Sequence, residues 1–143
     1  MPLLKFTPAD IQKSKLLNDG WYGMTVKKVS EWEPAKVNPP KPPSLNMIIT
    51  FVVEGENDKE IDYLINNTGM GFHVGLFAAL LKIPVKKIQD DTSLLENFET
   101  EQAIGMKVDG HVIVDNFQGR NNNKISAFLP YGQGRAQAAT SVY

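Results

Sequence analysis

Apolar positions along this chain follow two rhythms, one of period two and one helical. From Trp21 to Glu33, Tyr22, Met24 and Val26 alternate with other residues, and then the apolar phase slips by one position to Val29. A slip of that kind inside a long strand marks a β-bulge, which lets the strand curl around a small barrel. Residues 45–54 are apolar on both faces and predict a central, well-covered second strand. Residues 60–66 set Ile61, Tyr63 and Ile65 against Asp62 and Asn66, a third strand with one wet face. Lys107 to Val114 carries Val108, Val112 and Val114 on one face and Lys107, Asp109 and His111 on the other. Lys124 to Leu129 alternates Ile125, Ala127 and Leu129 with Lys124, Ser126 and Phe128, which predicts an exposed Phe128 ring.

Helical spacing occurs in three places. Thr7 is suited to cap, Pro8 to open and Asp10 to favour the positive end of a short helix over 8–17, stopped by Asn18-Asp19-Gly20. Thr68 is expected to cap a helix near 70–81 with Phe72, Leu76, Phe77, Leu80 and Leu81 on one face, ended by Pro84. Ser93-Leu-Leu-Glu96 has the capping-box pattern of a further short helix. Between the first two strands, residues 34–44 hold five of the nine prolines and predict a stiff extended loop. Residues 115–123, rich in Asn and Gly, predict a loop between the last two strands, and 131–143 a flexible tail.

Three strands, a helical segment and two strands make an all-β chain with a helical insert. That is the order of a five-stranded OB-fold β-barrel, with its helix between strands three and four, in one domain over 1–130. Such barrels hold ligands with the first–second and fourth–fifth connections, here 34–44 and 115–123. Net charge is −1, which offers nucleic acid no help. Its distribution does: Lys27, Lys28, Lys36 and Lys41 against Glu31 and Glu33 leave +2 over 27–44. Lys107, Arg120, Lys124 and Arg135 against Asp109 and Asp115 leave +2 over 105–135. Acidic residues gather elsewhere, with −4 over 54–62 and −5 over 88–101. The predicted topology brings both positive loops to the same side of the barrel.

Single-strand binders combine cations for phosphate with rings on which bases stack. The phosphate candidates are Lys27, Lys28, Lys36, Lys41, Arg120 and Lys124; the ring candidates are Trp32, Phe117 and Phe128. Tyr22, Phe51, Phe72, Phe77 and Phe98 fall in apolar phase and are expected in the core. The chain has no cysteine, and His73 and His111 have no metal-ligand spacing. Neither a nucleophile elbow nor a phosphate-loop sequence is present. No enzyme, cofactor or metal is therefore expected. Nor does any apolar run reach a membrane span, and no secretory signal is evident, so a cytoplasmic protein is expected.

The chain resembles phage single-stranded-DNA-binding proteins with an OB fold, a family found beside recombination and replication genes. The shared run is Gly20-Trp21-Tyr22, a Lys/Pro/Ser loop, and Leu45–Gly55 ending Phe51-Val52-Val53-Glu54-Gly55. It continues with a leucine-rich helix before Ile83-Pro84, the step Ile104-Gly105-Met106-Lys107-Val108, and Asn116–Lys124, covering about residues 18–130. The resemblance implies sequence-tolerant, non-catalytic binding of single-stranded DNA in replication or recombination, in the host cytoplasm and alongside phage replication or recombination proteins. Residues 130–143 carry only Arg135 as a charged group, so recruitment through an acidic tail is not expected. The competing reading is an OB-fold protein-interaction or structural module of a viral assembly, because fold does not imply function.

Overall fold

Strand β1 (Gly20–Val29) is the centre of the sheet and changes partners along its length. Its first half, Gly20 to Thr25, pairs with β5 (Lys107–Phe117); its second half, Met24 to Val29, pairs with β3 (Leu45–Val53). The predicted bulge lies at Lys27, between the pairs Val26↔Phe51 and Lys28↔Thr50. The two-residue β2 (Glu33–Pro34) continues along the same edge of β3, linked through Ser30 N–H donating to Ile48 O at 2.9 Å. β4 (Glu60–Asn66) flanks β3 on its other edge, and β6 (Arg120–Pro130) flanks β5. The result is an open, antiparallel, six-stranded sheet in the order β4-β3-β1-β5-β6, with β2 beside the start of β3. This computed structural model describes residues 3–8, 11, 15–36 and 42–140, with the backbone alone at 117, 139 and 140.

The sheet coils until its two edges face each other. No ladder joins β4 to β6 among the described residues, but Tyr63 and Phe128 meet edge to face with ring centroids 5.0 Å apart. Phe128 also lies 5.5 Å from Phe51, which is fully buried. The expected exposed Phe128 is thus an inward ring, and a second bulge is the cause. Val112 pairs with Ile125 and His111 with Ala127, so Ser126 has no opposite number and the phase of β6 flips after it. Phe128 then stands opposite Gly110, where a side chain would collide with Met24.

Between β4 and β5 run a 3-10 segment (Asn67–His73), α1 (Val74–Leu81), α2 (Val85–Asp90), α3 (Ser93–Glu96) and a 3-10 turn (Thr100–Ala103). Leu76 to Leu80 of α1 are buried in one core cluster with Met47, Ile49, Val53, Ile65, Val108 and Val112, the helix lying mainly against β6. The cap at the start is Asn66 rather than Thr68: its side-chain oxygen accepts from Thr68 N–H at 3.0 Å. Residues 67–73 wind as 3-10 rather than α, and His73 before α1 is non-helical (φ −111°, ψ 1°), so the 3.6-residue phase does not reach back to Phe72. Phe72 is 90% exposed, against its expected place in the core. α2 was not evident in the pattern. Among the described residues, no helix is long and apolar enough to cross a membrane.

The two ends also differ from expectation. The helix expected over 8–17 falls largely outside the described residues; Pro8 and Ile11 are helical, whereas Lys15 to Leu17 are not. At the other end, the expected flexible tail is, through Thr140, a helix α4 (Gln133–Thr140) docked on β1 and β5.

Candidate nucleic-acid interface

Met47, Ile49, Phe51 and Val53 point into the core, so Asn46, Ile48, Thr50 and Val52 point outward. On β4 the outward set is Glu60, Asp62, Leu64 and Asn66. Register makes these four cross-strand pairs: Val52–Glu60, Thr50–Asp62, Ile48–Leu64 and Asn46–Asn66. Thr50 Oγ1 donates to Asp62 Oδ1 at 2.7 Å, and Asn66 Nδ2 donates to Asn46 Oδ1 at 2.8 Å and Ser44 Oγ at 3.0 Å. Between these polar pairs, Ile48 and Leu64 stand 39% and 53% exposed. The second strand is central, but its outer face is open at Ile48, whereas Thr50 on the same face is buried.

β1 adds cations to this face. Lys28 lies opposite Thr50 and is exposed. Lys27, projected by the bulge, reaches across β3 to Glu60 Oε1 at 3.3 Å. Trp32 and Lys36 are exposed on the segment leading from β1 to the proline loop. That loop is anchored at its base by Ala35 N–H donating to Ser44 O at 2.9 Å and Leu45 N–H donating to Asn67 Oδ1 at 2.8 Å. Lys41 lies outside the described residues.

The remaining candidates lie elsewhere. Strands β5 and β6 extend to a two-residue turn at Gln118 (φ 53°) and Gly119 (φ 78°), both left-handed, which suits the twist of a hairpin. The expected loop 115–123 is therefore mostly paired strand. Arg120 opens β6 exposed, and Lys124 sits 3.7 Å from Asp115. The Phe117 ring lies outside the described residues, and Phe128 belongs to the core. The hairpin side contributes Asn121 to Asn123 to a polar cleft of about 270 Å³ with Leu16 and Lys59 to Asp62, at the start of β4. The proline loop adjoins the end of β4, beside Asn66 and Asn67. The two positive loops thus lie at opposite ends of β4, roughly 20 Å apart for a strand of that length, and not together.

Several polar groups behind the face are perturbed. Tyr63 Oη and His73 Nδ1 are 2.7 Å apart. Burial raises the Tyr63 pKa and lowers that of His73, which keeps both neutral near pH 7. Burial likewise lowers the Lys59 pKa. On the far side of β1, Arg135 is pushed above its ordinary value by its hydrogen bonds to Tyr131 and Asp109. Tyr131 Oη donates to Glu54 at 2.7 Å, and Lys107 and Arg135 both lie over the Tyr131 ring.

Ile48, Leu64 and the Asn46–Asn66 pair were missing from the residues picked out by sequence. Ile48 was hidden in a strand apolar on both faces; Leu64 was readable as the one large apolar residue on the wet face of β4. Comparison of the sequence with protein-family models and with curated proteins returns no match.

Proposed function

We propose that the coiled sheet is an OB-type barrel left open between β4 and β6, and that its outer β1-β3-β4 face holds single-stranded DNA without catalysis. The barrel reading is supported by the strand order, the helical insert between the third and fourth long strands, and the meeting of Tyr63 with Phe128. The observation that carries the binding reading is one open face on which Lys28 stands beside the exposed Ile48–Leu64 pair. Phosphates pair with Lys27, Lys28 and Lys36, while bases lie against Ile48, Leu64 and the Trp32 ring. The strand runs along β4 between the proline loop and the hairpin. On this face Lys27 and Lys28 are balanced by Glu60 and Asp62, so affinity is modest. The resemblance to phage single-strand binders is what favours a role in replication or recombination.

A titration of oligo-dT, duplex and RNA oligonucleotides at two salt concentrations, read by tryptophan fluorescence, tests this. Binding of oligo-dT with a log–log salt slope of about −2 is expected for three phosphate contacts. No binding at ~50 mM salt, where such contacts are strong, would overturn it. A protein-docking face is the second reading, favoured by the aliphatic character of Ile48–Leu64 and by the acids beside it. Under that reading, Lys28→Glu and Lys36→Glu leave function intact while Leu64→Asp abolishes it.

A further inference from the structure

The N-terminal segment holds its large apolar side chains in water: Leu3 is 88%, Leu4 85% and Phe6 54% exposed. Over residues 3–15, Lys5, Lys13 and Lys15 against Asp10 leave a charge of +2. Between α2 and α3, a groove of about 440 Å³ is lined by Ile83, Lys87, Asp90, Asp91 and Leu94, its surface mainly apolar and its charged groups net negative. The helical segment around it, 85–103, carries Asp90, Asp91, Glu96, Glu99 and Glu101 against Lys86 and Lys87, a net of −3. Arm and groove are therefore complementary in both hydrophobicity and charge. Of the acidic groups near the root of the arm, Glu60 pairs with Lys27 and Asp62 accepts from Thr50, while Glu56 lies beside Lys15 to Asn18.

We propose that the apolar arm around Leu3, Leu4 and Phe6 docks in the α2–α3 groove of a second copy of this chain, with Lys5 facing Asp90. Within one chain the arm does not occupy the groove. Its root is pinned elsewhere, where Leu17 N–H donates to Asn123 Oδ1 at 2.7 Å and Asn123 Nδ2 donates to Leu17 O at 3.0 Å. Arm and groove are different surfaces, so the contact is head-to-tail and each copy can both give an arm and receive one. This assembly goes beyond the proposed DNA face and shares no residue with it, so either can fail alone.

Sedimentation velocity on the full chain over a concentration series up to about 1 mM tests the contact. Self-association is expected, weakened on the order of ten- to a hundredfold by Leu4→Asp in the arm or Leu94→Asp in the groove. Each variant alone self-associates only at this weakened level, but the two form a one-to-one complex of wild-type strength when mixed, because one retains a groove and the other an arm. Lys5→Glu or Asp90→Lys alone weakens association about two- to fivefold, and the pair together restores it. Far-UV circular dichroism verifies that each variant is folded. A wild-type monomer throughout the series overturns the proposal. So does association indifferent to Leu4 and Leu94, or failure of folded variants to complement each other.

Discussion

Asp109 on β5, wholly buried, is capped by Arg135 on α4, whose backbone N–H donates to Asp109 Oδ2 at 2.8 Å and whose Nη2 lies 3.1 Å from Oδ1. Gly132 N–H donates to Oδ1 at 2.9 Å. One carboxylate therefore satisfies the opening of a helix and anchors a guanidinium, and the fit of a negative group to a helix start follows from the partial positive charge there. Gly23 makes the room: a Cβ at that position would stand 2.7 Å from Glu54 Oε2 and 2.9 Å from Arg135 Cζ.

Asp109→Ala is expected to release α4 and to cost about 2–5 kcal/mol, because the Gly132 and Arg135 backbone N–H donors both lose their acceptor. Arg135→Ala costs less, about 2–3 kcal/mol, because the backbone N–H donors remain and the guanidinium is partly solvated. Urea denaturation with circular dichroism measures both; equal stability of Asp109→Ala and wild type would contradict the arrangement.

Gly134 packs so tightly that a Cβ there would overlap the Trp21 ring. The indole is rigid, so relief requires α4 to shift. Gly134→Ala gains about 1 kcal/mol of helix propensity but loses about 2–3 kcal/mol to overpacking. The expected net loss lowers Tm by roughly 3–7 °C, with a change in the emission of Trp21. A raised Tm would show that α4 does not rest on Trp21.

Phe128 and Lys28 separate stability from binding. Phe128→Ala removes a ring packed on Phe51 and Tyr63 and is expected to cost about 3 kcal/mol while leaving oligo-dT affinity of the folded protein unchanged. Lys28→Glu does the reverse, leaving stability within about 0.5 kcal/mol and weakening oligo-dT binding severalfold. Paired denaturation and fluorescence titrations read the two effects. An oligo-dT defect in folded Phe128→Ala would return that ring to the binding face.

His73 makes stability depend on pH. Burial holds its pKa below the ordinary value of 6.5, so the unfolded chain takes up this proton first as pH falls. Between the two pKa values the unfolded state binds more protons, and stability rises with pH in that window. The contribution is fully present above pH 6.5 and is lost as pH falls through that value towards the folded pKa. Subtracting the pH–stability profile of His73→Gln from that of wild type isolates the effect. A difference profile flat from about pH 7 to 5 would remove His73 from this role.

The two bulges show what was legible. At Lys27 the slip changes which residues are apolar, from Val26 to Val29, and so it can be read along the chain. At Ser126 the alternation of Ile125, Ala127 and Leu129 runs on unbroken, and only the pairing with β5 reveals the extra residue. The error at Phe128 follows from that. Asp109 is hidden for a related reason: alternation places it on the polar face of its strand with Lys107 and His111, and a helix 26 residues later buries it.

The sequence by itself determined the local elements and their order: the long bulged β1, two further strands, the helical insert and the final hairpin. Backbone geometry ties those to side-chain periodicity within a few residues. Tertiary structure alone decided that the sheet edges meet at Tyr63 and Phe128, that α4 closes over Asp109, and that Ile48 and Leu64 stay open. It also set the two positive loops at opposite ends of β4. Each of these depends on pairs distant in sequence, and such contacts leave no periodic trace along the chain.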